Sequence, residues 1–285
     1  MTRLILVALF TAAAVTALPR RYQDNADAEM ESLGRELDKA QLTEKTSLRF
    51  GQCNLQDSTV RVGDSLDFKC EAVSIPAVNI YWLLDGRLIQ GTKRRNNIIE
   101  KMRNIGKEVI SSTVSLSRLR VPCVDHRNAG ILTVVIDNGH QRKRLQAKIR
   151  VNEGLTSKCA AAATRAHPII TFWTDARFEN IGNSVLLTCR PGSKLDEVAW
   201  YDADRKALNH ADGYEVIKNG DLLIKELGWE HMGQFTCVVS NLLGQDRANA
   251  FVYPTAPQGT VDEPTMEELE EMAQMAEMEE ADTQM

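Results

Sequence analysis

The chain has 285 residues, 43% of them hydrophobic and 26% charged, with 17 Gly, 8 Pro and a formal net charge of −5. That is globular composition, long enough for about two domains of roughly 100 residues, and it excludes collagen, coiled coil and a wholly disordered chain. The charge is unevenly shared, because residues 49–158 carry 19 Lys and Arg against 10 Asp and Glu, while residues 255–285 carry 10 acidic residues and no basic one.

Met1-Thr2-Arg3 leads into an apolar stretch from Leu4 to Ala17, broken only by Thr11 and Thr16, that ends on the small residues Val15-Thr16-Ala17. A basic start, a short apolar run and a small-residue exit predict a secretory signal peptide over 1–17. The run is shorter than the roughly 20 residues a membrane helix needs, and Arg20-Arg21 follow at once. Export places the six cysteines where disulfides persist, so the expectation is a secreted, extracellular chain. Over 18–48, Met30, Leu33, Leu37 and Ala40 fall at helical spacing. This predicts a short helix that docks or frays, since isolated helices of this length are marginal in water.

Two copies of one pattern follow. In the first, Leu66, Phe68 and Cys70 share one face of a strand, and Trp82 comes twelve residues after the cysteine. In the second, Val185, Leu187 and Cys189 are followed by Trp200, then Leu222, Ile224 and Leu227, then Gly233-Gln234-Phe235-Thr236-Cys237. Alternation at period two, with Cys, Trp and Cys at these intervals, reads as immunoglobulin-like sandwiches with Trp82 and Trp200 as core tryptophans. Cys189 and Cys237 are the expected inter-sheet disulfide of the second copy; closing that loop contributes about 4 kcal/mol in the chain-entropy account. The tyrosine usual two residues before the second cysteine is Phe235, so the corner hydroxyl is missing.

In the first copy the second bridging position is Val134, which leaves Cys70 without its usual partner. Cys70 is therefore either a buried free thiol or bridged to Cys53 on the preceding strand, and spacing does not choose between them. Cys123 precedes one strand near an end of the first sandwich and Cys159 lies just past its last strand. A Cys123–Cys159 bridge is thus geometrically sensible and would pin the linker. The tail carries Met266, Leu269, Met272, Ala273 and Ala276 at helical spacing among its acids, but its charge density predicts disorder.

Phe172-Trp173-Thr174-Asp175-Ala176-Arg177-Phe178-Glu179, Asn219-Gly220-Asp221-Leu222-Leu223-Ile224, Trp229-Glu230-His231-Met232-Gly233 and Phe251-Val252-Tyr253-Pro254 together resemble the second domain of nematode zwei-Ig (zig) proteins. Leu88-Ile89-Gln90-Gly91 and Asp137-Asn138-Gly139-His140 resemble their first domain, and the insect imaginal morphogenesis protein-late carries a similar second one. The resemblance spans roughly residues 50–254. Cys123 and Cys159 match the family's extra cysteine pair, while Val134 and His231 depart from its usual Cys and Asp. It implies a secreted two-domain binding protein acting in maintenance of axon and neuronal cell-body position. The insect relative implies the alternative, sequestration of insulin-like peptides to modulate insulin signalling. Either way the partner is an extracellular protein or peptide, such as a neuronal surface protein.

No catalytic constellation is present: His126, His140, His167, His210 and His231 show no metal-ligand spacing, and there is no nucleophile-elbow motif. The expectation is no enzyme, no metal and no cofactor, and export argues against nucleic acid as partner. Lys93-Arg94-Arg95 and Arg142-Lys143-Arg144 form two basic runs that would suit sulfated glycans, although a solvated face is the plainer alternative. The sequence thus predicts an all-β chain of two tandem immunoglobulin-like, I-set-type sandwiches. Domain 1 covers 49–152, a linker 153–167, domain 2 168–254, and the acidic Met-rich tail 255–285.

Overall fold

The computed structural model describes residues 46–94, 97–154, 159, 167–209 and 211–257, together with Ser32. The expected signal peptide and N-terminal helix, most of the linker and all but the start of the tail lie outside these residues.

Domain 1 runs β1 (Ser47–Cys53), β2 (Ser58–Arg61), β3 (Leu66–Ile75), β4 (Asn79–Leu84), β5 (Arg87–Gln90), the short helix α1 (Ile98–Arg103), β6 (Ser112–Val121), β7 (Gly130–Asp137) and β8 (Arg142–Asn152). Domain 2 runs β9 (Ile170–Asn180), β10 (Val185–Leu187), β11 (Cys189–Pro191), β12 (Glu197–Tyr201), β13 (Tyr214–Val216), β14 (Leu222–Ile224), β15 (Gly233–Asn241) and β16 (Gly244–Thr255). The alternation in β3 is regular: Leu66, Phe68, Cys70 and Ala72 are buried, and Asp67 and Lys69 between them are exposed. This is the period of a strand with one face against a core.

The two domains are not joined end to end as separate sandwiches. One sheet passes through both in the order β1-β3-β6-β9-β16-β15-β12, with β11 also pairing β9. The seam is an antiparallel ladder between β6 and β9, from Ser112 opposite Phe178 to Ser117 opposite Phe172. A separate sheet, β2-β8-β7-β4-β5, completes domain 1, and another, β10-β14-β13, completes domain 2.

Successive residues of a strand point to opposite faces, and β9 uses both. Phe172 belongs to the core of domain 1, and its neighbour Trp173 packs against the core of domain 2. At this point of β9 the two cores therefore lie on opposite faces of the strand.

Three disulfides close the chain: Cys53–Cys70, Cys123–Cys159 and Cys189–Cys237. The first joins register neighbours on β1 and β3, within one sheet. Domain 1 therefore has no sheet-to-sheet bridge of its own. Val134 takes that place, in register with Trp82, both without exposed surface. Trp82 Nε1 donates to Ser117 Oγ at 2.9 Å and Trp200 Nε1 donates to the Gly220 carbonyl at 2.8 Å, so each buried indole is satisfied. Gly220 itself has φ of +95°, and a Cβ there would stand 2.6 Å from the Cys189 carbonyl, so the turn that presents its carbonyl to Trp200 requires glycine.

Candidate binding face

The seam is reinforced by a buried polar cluster. Arg177 on β9 has no exposed surface. Its Nη2 donates to Glu179 at 2.8 Å, to Ser111 Oγ at 3.2 Å and, closer still, to Glu100 of α1. Glu179 accepts from the Ile110 and Ser111 amides at 2.9 and 3.0 Å, both from domain 1, and from Asn183 at 3.0 Å. Asn104 and Ser184 exchange hydrogen bonds across the same boundary, with Asn104 Nδ2 donating to the Ser184 carbonyl and the Ser184 amide donating back. Burial pushes the Glu100 carboxyl up to about 7, against the lowering pull of Arg177, while Glu179 adds to the rise.

Phe178 pairs with Ser112, whose side chain points away from the domain 1 side of β6 that Thr113, Ser117 and Leu119 occupy, so Phe178 lies on the face of the sheet turned away from the domain 1 core. Ala248, Ala250 and Val252 of β16 enter the domain 2 core, so Asn249, Phe251 and Tyr253 project the other way. Phe251 is 46% exposed, Tyr253 42% and Phe178 of β9 38%. The rings of Phe178 and Tyr253 lie 5.7 Å apart. In register beside Phe251 is Gln234, and beside Asn249 are Thr236 and then Tyr201. The result is an aromatic strip flanked by uncharged hydrogen-bonding groups, with Met232, 44% exposed, just before β15. Such a surface buries much apolar area with few rotatable bonds to freeze.

Farther along the outer side of β3 and β6, charges satisfy one another. Arg118 Nε donates to both Asp67 oxygens, at 2.8 and 3.1 Å, and the Lys69 ammonium stands 5.1 Å over the Trp173 ring. This area offers little unspent contact.

The basic runs lie elsewhere. Lys93 and Arg94 are exposed on the loop after β5, Arg95 lies outside the described residues, and Arg142, Lys143 and Arg144 open β8, all exposed. Asn79 donates to the Arg94 carbonyl and is in register with Asp137, which is in register with Arg142, so the two runs meet at one corner of the domain 1 sheet. His231 accepts the Gly228 amide through Nδ1 at 2.9 Å. It closes the turn Trp229–His231 as Asp125 and Asn128 close the turn His126–Asn128 in domain 1. No group of His, Cys, Asp and Glu among the described residues is arranged to hold a metal ion.

In the sequence, Phe178, Phe251 and Tyr253 stand out only as parts of the family motifs. Alternation with Ala248, Ala250 and Val252 marks Phe251 and Tyr253 as outward-facing, whereas the position of Phe178 depends on a pairing between domains.

An immunoglobulin domain family model matches residues 167–241. The chain is 35% identical over 252 residues to zwei Ig domain protein zig-3 of Caenorhabditis elegans, covering 88% of this chain and 98% of that protein. It is likewise 35% identical to zig-4 of the same organism, over 82% of this chain and 91% of that one. Among solved structures, that of neural ectodermal development factor IMP-L2 aligns with a TM-score of 0.58 at 21% identity, over 75% of this chain and 97% of that chain, and shares the fold. Identity at this level along nearly the whole of a relative, with two sandwiches of the expected type, means that the chain belongs to the zwei Ig domain family of two-immunoglobulin-domain proteins.

Proposed function

We propose that this protein is a secreted binding protein, not an enzyme, and that its working surface is the aromatic face of β16 and β9. The basic, apolar and small-residue start of the chain and the three disulfides support secretion. The observation that carries the binding reading is the cluster Phe178, Phe251 and Tyr253, exposed together on one face that crosses from β9 to β16. Family membership favours maintenance of axon and neuronal cell-body position as the role. A second reading, sequestration of an insulin-like peptide, is favoured by the exposed rings of Phe178, Phe251 and Tyr253, which offer apolar contact to a small folded peptide.

The test is calorimetric titration of the full chain with insulin-like peptides of the same organism, beside binding of labelled chain to neuronal surfaces. The F251A/Y253A variant should weaken whichever interaction is found by roughly tenfold or more, with unfolding stability held within about 0.5 kcal/mol as for other surface changes. Saturable heat with a peptide selects sequestration, and binding to neurons alone selects positioning. Undiminished binding by the variant rules this face out.

A further inference from the structure

The outer face of β8 carries a file of cations. Ala147, Ile149 and Val151 pack inward, so Arg142, Arg144, Gln146, Lys148 and Arg150 point outward, all exposed. Outward residues of one strand recur about every 6.7 Å, and the file from Arg142 to Arg150 is about 27 Å long. It continues past the strand's own residues, since Arg61 on β2 is exposed beside Asn152, and Lys93 and Arg94 stand at the corner near Arg142. Gly91, at φ +85° and pressed on Tyr81 so closely that a Cβ would lie 2.7 Å from the Ile80 carbonyl, holds that loop down on the sheet.

The acids along the file are few and already engaged. Asp137 is occupied by Arg142, and Asp57 accepts the Lys148 amide at 2.8 Å. Lys143, Arg144, Lys148 and Arg150 make no side-chain hydrogen bond or ion pair with another described residue. Between the charges lie neutral hydrogen-bonding groups, Gln146 with Thr133 at 3.1 Å and Thr59 beside Arg150.

We propose that this file is a binding site for a linear sulfated polysaccharide. Guanidinium groups match sulfate oxygens two at a time, an extended row of charges suits an extended polyanion, and the amide and hydroxyls between them suit sugar hydroxyls. Single-stranded nucleic acid is disfavoured because β2, β7 and β8 carry no aromatic side chain on which a base could stack. A bilayer surface is disfavoured because Ile131, 40% exposed beside Lys148, is the single large apolar side chain of β7 and β8 on this outward face with substantial exposure. The site is separate from the aromatic face, so its failure leaves that reading standing.

The experiment is salt-gradient elution of the full chain from immobilised heparin, with R144E/K148E/R150E and R144Q/K148Q/R150Q, both checked for unchanged thermal unfolding. K194E/K218E/K225E, on exposed positions of domain 2, gives the same change in net charge as the first variant. The proposal expects heparin affinity near physiological salt to fall roughly tenfold or more in both file variants, to stay close to wild type in the domain 2 variant, and to be competed by heparin better than by desulfated heparin. Equal losses in the two Glu variants, equal competition by desulfated heparin or by DNA, or no retention of the wild type overturns it. So does retention that appears only when Glu267, Glu268, Glu270 and Glu271 are changed to Gln in the full chain, which would make the tail the occupant.

Discussion

Arg177 is enclosed by groups from both domains, and Glu100, Glu179 and Ser111 all depend on its guanidinium. Removing a buried cation leaves two carboxylates without their counter-charge, a situation that costs about 3–5 kcal/mol. The R177A variant should lose stability on that order, measured as a shift of the urea unfolding midpoint. R177M/E100Q should recover part of the loss, because one stranded charge has been removed with its partner. If R177A unfolds like wild type, the cluster contributes nothing to the joint. Ser111 adds a second sign of constraint, since its φ of 53° lies in the left-handed region that a non-glycine residue adopts only when its surroundings impose it.

α1 is too short to be stable alone, and it is held by what it touches. Asn104, at its C-terminal end, exchanges hydrogen bonds with Ser184, and Glu100 accepts the Leu186 amide of β10 at 3.0 Å. The pH behaviour of this element follows from the raised Glu100 carboxyl, about 7 in the folded chain against the ordinary value of 4.5. A raised acid binds its proton more tightly when folded, so its stabilising share is fully present below about pH 4.5 and is lost as pH rises through 7. The E100Q variant keeps a neutral side chain throughout. Urea midpoints at pH 5, 6.5 and 8 should therefore show the wild type losing ground to E100Q with rising pH, by an amount on the order of a few kcal/mol. A constant difference between the two would contradict the assignment.

For the molecule as a whole, the β6–β9 ladder fixes the two domains, and the Cys123–Cys159 bridge only tethers the linker. The C123S/C159S variant should give the same small-angle scattering profile as wild type, although it unfolds at lower denaturant; a larger radius of gyration would show that the bridge, not the ladder, sets the arrangement. Much of each sandwich was legible locally: Cys189, Trp200 and Cys237 lie on strands whose own alternation places them inward. The pairing of Cys53 with Cys70 was not, because it depends on a register shift between Phe50 and Cys53. Nor was the seam. A strand that buries both faces, as β9 does with Phe172 on one side and Trp173 on the other, shows no simple alternation, and Arg177 meets Glu100 across 77 positions of sequence. Half of the candidate face was readable from β16, while Phe178 depended on the same long-range ladder.

The shared sheet also changes what a protease can accomplish. In a string of independent domains, one cut in the connector releases two soluble fragments that diffuse apart. Here a cut between residues 160 and 166 would break the chain but not the ladder, and the two pieces would stay registered through β6 and β9 with the aromatic face intact. Dissociation would require tearing a sheet open through its middle and exposing Phe172 and Trp173 together. The unit that persists after such a cut, and that turnover must dismantle, is the pair.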